Sequence, residues 1–75
     1  MLEPTEKAKG LFDWLAPELR RFYQRTGRRM TEYQLRLEIE RRWGDKIVQK
    51  VCIPRGMSSF QCLTLAAMAA REPSA

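Results

Sequence analysis

Thr31-Glu32-Tyr33-Gln34-Leu35-Arg36-Leu37-Glu38-Ile39-Glu40-Arg41-Arg42-Trp43 is the stretch that decides the fold, because it carries two periodicities at once. Tyr33, Leu35, Leu37 and Ile39 alternate with Gln34, Arg36, Glu38 and Glu40, the pattern of a strand with one buried face. Against that, Thr31 and Gln34 have the spacing of a capping box, and most of the residues are good helix formers. Glu32 and Arg36, and Glu38 and Arg42, are acid-before-base pairs four apart, which favour a helix. We take the segment as a helix ending at Gly44. It then has two apolar stripes, Met30/Tyr33/Leu37 and Leu35/Ile39/Trp43, and is expected to pack on two sides.

C-terminal to this stretch, Asp45 to Ile53 is rich in β-branched residues (Ile47, Val48, Val51, Ile53) and stops before Pro54, so it reads either as a short strand or as further helix. With both doubtful segments as strands, residues 31–53 form a two-stranded hairpin connected through Arg41 to Asp45, and the fold becomes α-β-β-α. Pro54-Arg55-Gly56 reads as a loop. Ser58 and Gln61 form a second capping box that opens a helix to about Ala70.

On the N-terminal side, Thr5 caps a helix in which Ala8, Leu11, Phe12 and Leu15 fall at helical spacing up to about Ala16. Pro17 has no amide to donate, so that helix kinks or restarts with Pro17 in a new first turn. From Glu18 to Thr26 the residues Leu19, Phe22, Tyr23 and Thr26 share one side and Arg20, Arg21, Gln24 and Arg25 the other, until Gly27 ends the run. The fold class expected is therefore mostly α, a single small domain of three to four helices over residues 1–75 with frayed ends at 1–4 and 71–75. The α-β-β-α arrangement is the alternative.

Fourteen Lys and Arg against nine Asp and Glu leave a net charge of +5, and its location is informative. Arg20, Arg21, Arg25, Arg28 and Arg29 lie in ten residues free of acid, so the remainder of the chain is neutral. Ten of the fourteen basic residues are arginine, whose planar fork grips a phosphate or carboxylate with two hydrogen bonds. The five arginines are the candidate contact surface for nucleic-acid phosphates or for an acidic protein face. The bland reading is a solvated amphipathic face whose cations complement the negative end of a helix.

Histidine, the side chain that most often works as acid or base near neutral pH, is absent. Glu38 and Glu40 would point about 160° apart on a helix and read as solvated partners for nearby arginines. No phosphate-cradling glycine loop can be drawn, and Cys52 and Cys62 make no metal-ligand motif. No enzymatic activity, metal, cofactor or small-molecule substrate is expected. The first residues, Met1-Leu2-Glu3-Pro4, do not read as a secretion signal, and the longest apolar run, Leu63 to Ala70, is too short for a bilayer. We therefore expect a cytoplasmic protein without a membrane partner, with both thiols free.

A helix-turn-helix alignment over Gln34 to Ile53 puts Gly44 near the turn, but Glu40 falls where a small residue should pack and Lys50 where an apolar one should. Trp14, Phe22, Tyr23, Tyr33, Trp43 and Phe60 read as core, with Trp14, opposite Phe12, as the exception that can anchor a partner. The last helix is apolar nearly all round, so it is either the centre of the monomer or, through residues such as Leu65 and Met68, the seam of a homodimer. These features describe a small basic regulatory or accessory protein. Its expected partner is nucleic acid, met through the arginine helix; the alternative is a modulator or inhibitor docking on a larger bacterial protein or complex.

Overall fold

The computed structural model describes residues 10–71, and among these there are helices and turns but no strand. Three helices carry the architecture: α1 (Ala16–Arg25), α2 (Glu32–Ile47) and α3 (Ser59–Arg71). The decisive stretch is helical. Thr31 Oγ1 accepts from the Gln34 amide at 3.1 Å while Gln34 Oε1 accepts from the Thr31 amide at 3.2 Å, so the capping box closes in both directions. Both expected acid–base pairs form, Glu32–Arg36 at 3.0 Å and Glu38–Arg42 at 3.5 Å. The hairpin alternative over residues 31–53 is thereby set aside. At about 100° per residue the alternating apolar set splits. Leu35 and Ile39 are buried and Trp43 half-buried, whereas Tyr33 and Leu37 face outward. The helix packs on one side, not the expected two.

Ahead of α1, residues 10–11 are helical and 12–15 form a turn in which the Leu15 amide donates to the Phe12 carbonyl at 2.9 Å. Pro17 sits in the first turn of α1, so the chain restarts there, as its missing amide requires. Thr5 and the early part of the expected first helix lie outside the described residues, as do the ends at 1–4 and 72–75. Phe12, Leu15, Leu19 and Phe22 descend into the core, and Thr26, expected on the same side, is exposed. Gly27 follows α1 in a 3-10 turn, Gly27–Arg29, without left-handed geometry. Its role is close approach: a Cβ there would stand 3.0 Å from Leu35 Cδ1 and 3.0 Å from Tyr23 Cδ1.

Gly44 does not end α2. The helix runs through it, widens into a π turn at Val48–Cys52 and continues through Ile53–Arg55. The doubtful segment is thus helical but has no turn before it, which removes the helix-turn-helix alignment. The chain reverses at Gly56, whose φ of 62° suits a residue without a side chain, and the Met57 amide donates to the Cys52 carbonyl at 3.0 Å. Ser58 and Gln61 then cap α3 reciprocally, at 3.1 and 3.2 Å.

α3 reads as apolar all round in sequence, yet its packing is one-sided. Cys62, Leu63, Ala66, Ala67, Ala69 and Ala70 are buried against α1 and α2, on an arc of roughly 160°. It is the central element of the monomer. Arg71, expected among the frayed ends, is its last helical residue and donates to Glu32 Oε1 at 2.9 Å. The core joins Phe12, Leu15, Leu19, Leu35, Ile39, Ile47 and Val51 to this face.

Cys52 and Cys62 are joined in a disulfide with Cα atoms 6.0 Å apart, which corrects the expectation of two free thiols. The wide turn at the end of α2 and the first turns of α3 bring both sulfurs into the core, a proximity that depends on tertiary packing. Cross-linking residues separated by 10 in sequence contributes roughly 2.5–3 kcal/mol through the unfolded chain. Urea denaturation with and without excess dithiol should show a loss of about that size in unfolding free energy. A mass increase of two hydrogens on reduction would report the bond directly, and identical curves despite that increase would contradict the account.

Candidate nucleic-acid interface

The five arginines singled out in sequence do not share one environment. Arg21 and Arg25, one helical turn apart, are exposed on α1; Arg28 and Arg29 are exposed on the 3-10 turn that follows it. Arg20 is half-buried, with its Nε enclosed and unpartnered among the described residues. Arg28 Nη1 reaches Gln24 Oε1 at 3.5 Å, a weak contact. Neither Arg21 nor Arg25 enters an ion pair among the described residues.

The structure adds residues that the sequence did not point to. Arg21 and Arg25 border a groove of about 370 Å³ whose other walls are Glu18, Phe22 and Thr26 of the same helical run and Arg42 and Trp43 of α2. Phe22 and Trp43 meet edge to face at 5.8 Å between centroids, closing the floor where the helices touch. Arg42 lays its guanidinium 4.6 Å from the Phe22 centroid, while its side chain keeps 45% exposure. Three arginines and two aromatic residues therefore line one groove. In sequence Arg42 reads only as the partner of Glu38, because the side of α2 that faces α1 depends on the packing angle.

Glu38 restrains part of this charge. It accepts from Arg41 at 2.8 Å and Arg42 at 3.5 Å, and the Arg41 hydrogen bond above all holds its carboxyl below the ordinary range. Arg41 is correspondingly raised by the same bond. Glu40, on the opposite side, has no ion-pair partner among the described residues.

Trp14 is 38% exposed, donates its indole N–H to the Leu11 carbonyl at 2.9 Å, and has the Lys50 ammonium 5.0 Å from its ring centroid. Leu65 and Met68, named for a dimer seam, are half-buried against the monomer core. Tyr33 and Phe60, expected in the core, are 63% and 65% exposed and with Leu37 line a groove of about 230 Å³ between α2 and α3. Arg36 sits 4.9 Å from the Phe60 ring there. No described helix is long and apolar enough to cross a membrane. The chain matches no known protein family, and no curated protein or solved structure is significantly similar to it.

Removing the carboxylate with Glu38→Gln should leave the fold intact, since the residue is on the surface of a helix held by other contacts. It should strengthen the groove's hold on inorganic phosphate or an oligonucleotide roughly two- to fivefold at low salt, measured by titration beside the parent protein. Unchanged affinity would mean that the Glu38 carboxylate does not restrain the arginines that meet the anion.

Proposed function

We propose that this is a small, basic, non-enzymatic regulatory or accessory protein that associates with nucleic acid through the arginine face of α1. The observation that carries the reading is the convergence of Arg21, Arg25 and Arg42 on one groove, beside exposed Arg28 and Arg29. Arginine suits this work because its fork can donate two hydrogen bonds to one phosphate. Counterion release from the polyanion supplies affinity without sequence preference. The lack of histidine and the pairing of Glu38 with arginines support a binding role over a chemical one. A cytoplasmic location belongs to the same proposal.

Fluorescence anisotropy with labelled oligonucleotides at low and near-physiological salt tests the reading. The double variant Arg21→Glu/Arg25→Glu should lose at least about tenfold in affinity, and the slope of log K against log salt should fall by about two. Absence of binding to DNA and to RNA at low salt would end this proposal.

A second reading rests on the exposed Tyr33, Leu37 and Phe60, which form an apolar patch with an ionic rim of Arg36 and Glu40. Such a patch suits a modulator docking on a larger protein. The expected result is a stoichiometric protein partner that survives nuclease treatment and is lost with Leu37→Glu/Phe60→Glu. Loss of every partner on nuclease treatment would count against this reading.

A further inference from the structure

A duplex presents its phosphates on a convex surface and keeps its bases stacked inside, so binding it through charge requires only an exposed arginine face. The α1/α2 groove holds more than that. It is an open groove of about 370 Å³. One wall is aromatic, formed by half-buried Trp43. Arg42, resting on Phe22 yet 45% exposed, offers a planar cation beside it. Glu18, in the first turn of α1, lines the same groove with an acidic residue. A carboxylate opposes a phosphate but accepts hydrogen bonds from a base amino group.

We infer that the groove receives one unstacked nucleotide of a single-stranded nucleic acid. Its phosphate lies on Arg21 and Arg25, its base against Trp43 and the Arg42 guanidinium, and its amino edge toward Glu18. This rests on the nucleic-acid reading above and narrows it to single strands, whose bases are free to stack on aromatic and guanidinium planes. A base carrying an exocyclic amino group, such as cytosine, is favoured over thymine, which has none.

The test uses the Trp14→Phe protein, which leaves Trp43 as the sole tryptophan, titrated at low salt with short labelled oligo(dC), oligo(dT) and a duplex of equal length. Anisotropy should show the single strands bound about fivefold or more tighter than the duplex, with Trp43 emission quenched on binding. Glu18→Gln, an exposed change compatible with folding, should reduce the preference for oligo(dC) over oligo(dT). Trp43→Leu should remove the single-strand preference; because Trp43 also packs, its circular dichroism is compared with the parent, and the Glu18→Gln result stands independently. Equal binding of single strand and duplex with Trp43 emission unchanged would overturn the groove assignment. In that case, loss of binding in Arg21→Glu/Arg25→Glu would still support the arginine face. Failure of every oligonucleotide to bind would remove both proposals.

Discussion

Everything in this fold leans on the small-residue face of α3. Ala66, Ala67, Ala69 and Ala70, with Cys62, let two helices approach one backbone closely, so that α1 and α2 both seat their apolar stripes on it. A chain of 75 residues cannot enclose a thick core, and the economical solution is one thin helix surrounded on one side by larger residues. Phe12, Leu15, Leu19, Leu35 and Ile39 supply the bulk that the alanines leave room for. Gly27 serves the same end where α1 turns toward α2, since a side chain there would press on Leu35 and Tyr23.

That arrangement determines what remains on the surface. With α1 and α2 both fastened to α3, they meet at Phe22 and Trp43, beside the groove that Arg21, Arg25 and Arg42 line. The concentration of charge is thus a consequence of packing as well as of composition. Glu38 moderates it by engaging Arg41 and Arg42, so the groove is less positive than its arginines alone would make it. On the other flank, α2 has more apolar residues than the thin core can accept, and Tyr33 and Leu37 stay outside beside Phe60. The two surfaces have different chemistry, one cationic and one apolar, and they lie on different sides of α2.

The connection from α2 to α3 is where the chain spends its irregular geometry. A π turn, a short helical turn and the left-handed Gly56 reverse the direction within a few residues, and the Cys52–Cys62 bond ties the two ends of that reversal together. Burial of both cysteines places the cross-link inside the core. It supplies the kind of staple that small domains need when hydrophobic area is short.

The sequence by itself determined the local structure. Both capping boxes, the restart at Pro17 and the Glu32–Arg36 and Glu38–Arg42 pairs involve groups within four residues of one another, so spacing and residue type suffice to specify them. The acid-free run from Arg20 to Arg29 was equally legible, as was a mainly helical fold. Only the tertiary structure decided which apolar stripe of α2 is buried, that Gly44 lies within a continuous helix, that Cys52 meets Cys62, that the Arg20 Nε is enclosed and that Arg42 and Trp43 join Arg21 and Arg25. Each of these depends on the angle and rotation at which helices seat on α3. Those are set by the summed packing of many side chains far apart in sequence, which no short window of residues contains.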